Sequence, residues 1–142
     1  MSDQNAIKIV VDTNLWISFL IGKRLSTLKD SILKGRVEVY LSDELYQEII
    51  KVLEYPRIKK YITLNEFFEL INLFGGKIHF IKPDCVIKDC RDSRDNFLLE
   101  LAVTAHADYL VTGDADLLEL NPYQGLKIIK AQELENVLKT RG

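Results

Sequence analysis

The chain predicts a single-domain α/β fold, a three-layer α/β/α sandwich around a five-stranded, mainly parallel sheet. Three observations carry this expectation. Short apolar and β-branched runs alternate five times with helical patterns. No connection reads as a tight two-residue hairpin, so neighbouring strands are joined by crossovers rather than reversals. The first run, Ile7 to Val11, is apolar apart from Lys8, the pattern of a strand buried on both faces. With 142 residues, the whole chain is read as one domain, with a core over about 6–140.

Taken in order, the first strand ends at Asp12-Thr13-Asn14, and the apolar residues from Leu15 to Leu20 continue as a helical turn or two. Ser26 opens a second helical stretch with Leu28, Ile32 and Leu33 on one side, stopped by Gly35. Val37 to Leu41 is the second strand. Ser42 caps a helix whose apolar residues Leu45, Ile49, Val52 and Leu53 recur at three and four, and Pro56 breaks it. Thr63 and Glu66 form a capping-box pattern ahead of Phe67, Phe68, Leu70, Ile71, Leu73 and Phe74. That helix is apolar on more than one side, which suits burial or a homodimer contact.

Lys77 to Ile81 is the third strand, stopped by Pro83. After the polar loop from Asp84 to Arg94, Ser93 or Asp95 caps a helix through Phe97, Leu98, Leu101 and Ala105. Tyr109 to Thr112 is the fourth strand, Gly113 to Asp116 a turn, Lys127 to Lys130 the fifth strand, and Gln132 to Lys139 a closing helix.

Composition narrows the class. At 47% hydrophobic and 28% charged, the chain is neither disordered nor fibrous. Its longest apolar runs, Ile9 to Val11 and Trp16 to Ile21, fall far short of the ~18 residues of a membrane span. Met-Ser-Asp-Gln-Asn at the start carries no basic leader, so a cytoplasmic location is expected. Lys plus Arg number 19 against 21 Asp plus Glu, a net of -2, which advertises no global nucleic-acid field. Positive residues nevertheless bunch at Lys23-Arg24, at Arg57, Lys59 and Lys60, and at Arg91 and Arg94. Each bunch fits either a solvated surface or a local phosphate contact. Cys85 and Cys90, with His79 and His106, match no zinc or thioredoxin spacing, so the cysteines are read as reduced thiols.

The acids carry the chemistry. In a parallel sheet ligands gather outside the carboxyl ends of the strands, where strand order reverses. Asp12 closes the first strand and Asp114 follows the fourth, so both project from that edge. Asp95 stands at the mouth of the preceding helix, whose N-terminus a right-handed crossover points to the same edge. Glu48 lies six residues into the helix after the second strand. Converging carboxylates repel, and a hard divalent cation relieves that repulsion; with neither a His-rich nor a Cys-rich set, Mg²⁺ or Mn²⁺ is expected. Each acid also has a plainer reading. Asp12 fits a helix cap, Asp95 a helix-dipole partner, Glu48 a surface residue, and Asp114 and Asp116 turn formers.

Four segments taken together resemble the PIN-domain nucleases: Val-Val-Asp-Thr-Asn-Leu-Trp-Ile at 10 to 17, Ser-Asp-Glu-Leu-Tyr-Gln-Glu-Ile-Ile at 42 to 50, Asp-Asn-Phe-Leu-Leu-Glu-Leu-Ala at 95 to 102, and Ala-Asp-Tyr-Leu-Val-Thr-Gly-Asp-Ala-Asp-Leu-Leu at 107 to 118. The chain looks most like the single-domain toxins of toxin–antitoxin pairs. The resemblance implies a metal-dependent endoribonuclease in which Asp12, Glu48, Asp95 and Asp114 hold Mg²⁺ or Mn²⁺. Asp116 is implied as an auxiliary acid that also binds the metal, Asn14 and Thr112 as orienting groups, and Asp92 as a supporting acid. It also implies a homodimer and a small protein antitoxin, either of which gives the phenylalanine-rich helix a use. Arg57, Lys59, Lys60, Arg91 and Arg94 are the expected RNA-steering cations.

Three other readings compete. A haloacid dehalogenase-type phosphoaspartyl enzyme needs a second Asp two residues after the first and a Thr two beyond that, where this chain has Asn14 and Trp16. A response-regulator receiver finds Asp84 and Lys130 after the third and fifth strands, but lacks the acidic pair near Asp12. A non-catalytic RNA- or protein-binding module needs none of the acids.

Overall fold

The computed structural model describes residues 5–22 and 25–141. The Lys23-Arg24 bunch and Met1 to Gln4 of the N-terminal segment lie outside the described residues. Strands Ile7–Val11 (β1), Val37–Leu41 (β2), Ile78–Phe80 (β3), Tyr109–Val111 (β4) and Lys127–Ile129 (β5) form one sheet in the order β3-β2-β1-β4-β5. Every strand pair is parallel. The order grows outward from β1 in one direction to β3, then jumps back across β1 to β4. The direction therefore reverses between β1 and β4, which sets the cleft where the loops after these strands diverge.

β2 is buried at all five positions and β1 at all but Lys8. Successive side chains point to opposite faces, so both faces of the sheet are covered and these strands read as continuous apolar runs. The helices are Thr13–Ile21 (α1), Leu25–Leu33 (α2), Asp43–Leu53 (α3), Pro56–Lys59 (α4), Leu64–Phe74 (α5), Asn96–Thr104 (α6), Ala115–Leu118 (α7) and Ala131–Arg141 (α8). α6 packs on β1, β2 and β4; α2 packs on β2 with α8 beside it. No helix among the described residues is long and apolar enough to cross a membrane.

Local chemistry explains the boundaries. Gly35 ends α2 in the left-handed region at φ 76, and the Gly35 and Arg36 amides donate to the Ile32 and Ser31 carbonyls, a Schellman ending. The Ser42 hydroxyl accepts from the Leu45 amide at 3.2 Å, and Thr63 accepts from Glu66 at 3.2 Å. Pro56 does stop α3, which ends at Leu53, but it also opens α4, because proline at the first helical position gives up an amide that has no partner there. β3 starts one residue later than the sequence suggests, since Gly75 to Lys77 forms a 3-10 turn.

α5 is apolar on two sides, as expected, and one of them is buried. Phe67, Leu70 and Phe74 are buried, while Phe68 and Leu73 remain 41% and 54% exposed, so the helix has a core side and an open apolar side. Phe67 meets Trp16 edge to face at 6.5 Å, tying α5 to α1 behind the acid-bearing end of β1.

Candidate active site

A cleft of about 550 Å³ opens at the carboxyl end of the sheet, and Asp12, Glu48, Asp92, Asp95 and Asp114 all line it. Asn14 and Arg94 line it as well. The structure thus brings together the four acids at one site, from four separate parts of the chain.

Asp12 is 8% exposed. Its Oδ1 accepts from the Leu15 amide at 2.8 Å, so it does cap α1. Its Oδ2 accepts from the Thr112 hydroxyl. Burial pushes its carboxyl up; the Thr112, Leu15 and Gly113 hydrogen bonds oppose that, and the Asp114 charge adds to it. Asp114 caps α7, its Oδ1 accepting from the Asp116 amide at 2.8 Å and the Leu117 amide at 3.3 Å. The capping reading of Asp12 is therefore correct, Asp114 caps a helix where a turn former was expected, and capping fixes both at the cleft.

Asp95 differs. It is the N-cap residue of α6, as expected, but a 3-10 turn from Ser93 to Asp95 runs into it, capped by Asp92, whose carboxylate accepts from the Arg94 amide at 3.1 Å. The turn intervenes between loop and helix, so the Asp95 side chain makes no capping bond to α6. Its Oδ2 is buried without a hydrogen-bond partner. Its carboxyl is pushed up to about 7, first by burial, then by hydrogen bonding with Asp114 and the Asp114 charge, with Asp92 and Asp12 adding. Side-chain bonds hold the loop before this turn against α6: Thr104 to Asp84 at 3.0 Å, the Ile87 amide to Glu100 at 2.9 Å, and the Cys90 amide to Asn96 at 2.9 Å.

Glu48 is exposed on α3, and its Oε2 accepts from the Thr13 hydroxyl at 2.8 Å. Sequence reasoning misses Thr13, whose one signal is a hydroxyl next to a strand-end acid. Thr112 is fully buried and joins Asp12 to Asp114, since its Oγ1 also accepts from the Asp114 amide at 3.0 Å.

Other expected residues stand apart from the cleft. Asp116 is not among its lining residues; its carboxylate faces Arg91 at 3.6 Å. Arg91 also pairs with Glu119 at 2.8 Å. Arg94 lines the cleft, but both its Nε and Nη2 donate to Asp92, and these bonds hold the Asp92 carboxyl below its ordinary value. Arg57 and Lys60 line an adjoining hollow, and Lys59 is exposed at the end of α4. Asp84, the acid of the receiver reading, bonds Thr104 and does not line the cleft. Trp16, where the dehalogenase pattern needs threonine, is buried in the core. Cys85 and Cys90 are free thiols.

Among the described residues, no three His, Cys, Asp or Glu side chains stand together as a ready metal cage. The donor set still fits a hard divalent ion: it is all carboxylate, its members raise one another's proton affinity, and it includes a buried oxygen without a partner.

Comparison with known proteins places the fold in a family. The chain belongs to the PIN-domain family, whose model matches residues 8–116, a span that takes in all five cleft carboxylates and Asp116. PIN domains are typically nucleases, act on nucleic acid and usually bind divalent metals. The chain is 32% identical over 118 residues to the uncharacterized protein MJ1680 of Methanocaldococcus jannaschii, covering 80% of this chain and 75% of that one. Its fold is similar to that in the crystal structure of PAE2754 from Pyrobaculum aerophilum. The TM-score is 0.59 at 14% identity, over 99% of this chain and 96% of that one.

Proposed function

We propose that the protein is a metal-dependent endoribonuclease that hydrolyses RNA phosphodiester bonds with Asp12, Glu48, Asp95 and Asp114, using Mg²⁺ or Mn²⁺. The observation that carries this reading is the meeting of the four acids around one cleft, with the partnerless, buried Asp95 Oδ2 among them. A divalent ion held by these carboxylates supplies charge neutralisation at the phosphate and acidifies an attacking water. Asp12 and Asp114 are held in place by the Thr112 hydroxyl and by the amides they cap, and Glu48 is turned by Thr13. Without metal, burial and the neighbouring acids push the Asp95 carboxyl up to about 7, a repulsion that a divalent ion held here would relieve, keeping the carboxylate ionised. Asn14 lines the cleft as a polar neighbour of the substrate, Asp92 supports it, and Asp116 is an auxiliary acid reached through Arg91.

Arg57, Lys59 and Lys60 steer the phosphate backbone, whereas Arg91 and Arg94, expected to join them, already have their charge matched by Asp116 and Glu119 and by Asp92. The cellular role that the sequence resemblance supports is the toxin of a toxin–antitoxin pair in the cytoplasm. The open side of α5, at Phe68 and Leu73, is the apolar surface available to a homodimer partner or a small antitoxin.

The test is cleavage of a mixed RNA pool with Mg²⁺ or Mn²⁺, beside an EDTA sample and an Asp12→Asn preparation purified identically. Cleavage that needs metal and disappears in the variant supports the nuclease. A biological effect that survives Asp12→Asn, without cleavage, assigns the fold to a non-catalytic binding module.

A further inference from the structure

Beside the acid cleft lies a second hollow of about 460 Å³, and the two share Asn14, Ser18 and Val52. They therefore form one continuous groove along α1. Its charge changes along its length: five carboxylates line the first part, whereas the second carries Arg57 and Lys60 and no carboxylate. Among the described residues neither cation forms an ion pair, unlike Arg91 and Arg94. Tyr61 lines the same hollow, is 61% exposed, and has Lys60 Nζ 5.4 Å from its ring centroid.

An exposed aromatic ring with Lys60 beside it, and Arg57 in the same hollow with its guanidinium 5.8 Å from the Tyr55 ring centroid, stands at the end of a groove that runs into an acid centre and has the parts of a nucleotide site. Cations meet the phosphate, and the ring offers a π face to the base. In a duplex the base faces are covered by their neighbours, so such a ring discriminates in favour of unpaired nucleotides.

Resting on the nuclease reading, we propose that this hollow is a subsite for one unpaired nucleotide of the RNA next to the scissile phosphate. Its base stacks on Tyr61, and its phosphate lies against Arg57 and Lys60. Ser18 and Asn14, at the neck shared by the two hollows, contact the sugar–phosphate between subsite and acids. The substrate class is then RNA that is single-stranded at the cut, selected by the protein surface rather than by the acids.

The experiment is fluorescence anisotropy of a labelled single-stranded RNA, and of the blunt duplex of the same sequence, titrated in EDTA with wild type, Tyr61→Ala and Tyr61→Phe. Tyr61 is mostly exposed, so neither substitution opens the core. Tyr61→Ala is expected to weaken single-strand binding by about tenfold and leave duplex binding unchanged, while Tyr61→Phe binds as wild type. In cleavage assays Tyr61→Ala raises KM by a similar factor with kcat little changed. Equal single-strand affinity of wild type and Tyr61→Ala, equal weakening on the duplex, or no RNA bound by wild type overturns the subsite. Metal-dependent cleavage lost in Asp12→Asn, beside an unchanged Tyr61→Ala affinity, overturns the subsite alone and leaves the nuclease standing. Tyr61-dependent binding with no cleavage in Mg²⁺ or Mn²⁺ supports the subsite and overturns the nuclease.

Discussion

The Thr112 hydroxyl donates to Asp12 Oδ2 across a hundred residues of sequence, and the same oxygen accepts from the Asp114 amide. One buried atom therefore links the acids that end β1 and follow β4, at the place where the strand order changes direction. A carboxylate as buried as Asp12 is poorly solvated, and this bond is the largest of the contributions that keep it ionisable.

Replacing Thr112 with valine keeps the shape and removes both bonds. Thr112→Val is expected to lower unfolding stability by about 1–3 kcal/mol, because it leaves the Asp12 oxygen and the Asp114 amide without their partner. Cleavage should fall by at least about tenfold as the two acids lose their relative position. Thr112→Ser, which keeps the hydroxyl, should stay close to wild type in rate. Urea denaturation and initial cleavage rates on the three proteins check both parts; equal rates for Val and Ser would remove Thr112 from the site.

Metal-free stability should depend on pH through Asp95. Its folded value is raised to about 7 from an ordinary 3.8, so the folded state takes up the proton more readily than the unfolded chain. That contribution is fully present below the unfolded value and is lost as pH rises through about 7. In EDTA, the wild-type melting temperature should lose this contribution between about pH 4 and pH 7, with no further loss from it above, and Asp95→Asn should flatten the fall. Identical slopes in the two proteins would contradict the coupling of Asp95 to Asp114.

Much of this arrangement is readable from residue order. Ile7 to Val11 and Val37 to Leu41 are strands with the expected ends, because strands buried on both faces leave no ambiguity of period. The convergence of Asp12, Asp95 and Asp114 follows from parallel topology alone. What the sequence hides is pairing between side chains. Arg91 and Arg94 look like free cations in the chain, yet each is occupied by a carboxylate; Arg57 and Lys60 look the same and are not. The 3-10 turn after Asp92 is equally hidden, since Asp92, Ser93 and Asp95 are all good caps and only tertiary bonds from the loop to α6 decide among them. The Glu38–His79 pair, at 2.9 Å inside the sheet, gives no signal in a strand that otherwise reads as apolar.

Salt dependence separates the two groups of cations. Neutralising Arg57 and Lys60 to glutamine should weaken RNA binding and reduce the slope of log affinity against log salt by about 0.7 for each phosphate the protein no longer neutralises. Neutralising Arg91 should change that slope far less, since its charge is already matched by Glu119 and Asp116. Equal slopes for the two variants would discard the groove as the RNA path.

The neighbouring phenylalanines of α5 should behave oppositely. Phe67→Ala opens a cavity beneath Trp16 and should cost about 3–5 kcal/mol in denaturant unfolding. Phe68→Ala, on the open side, should cost less than about 1 kcal/mol. If Phe68→Ala instead destabilises in a concentration-dependent way, that side of α5 is a subunit contact.

The central claim is that repelling carboxylates form a cation site, and calorimetric titration of Mn²⁺ into wild type, Asp114→Asn and Asp116→Asn tests it most directly. The account predicts saturable binding by wild type, its loss in Asp114→Asn, and its retention in Asp116→Asn, whose carboxylate lies outside the cleft lining. No saturable binding by wild type, or equal binding by wild type and Asp114→Asn, would contradict it.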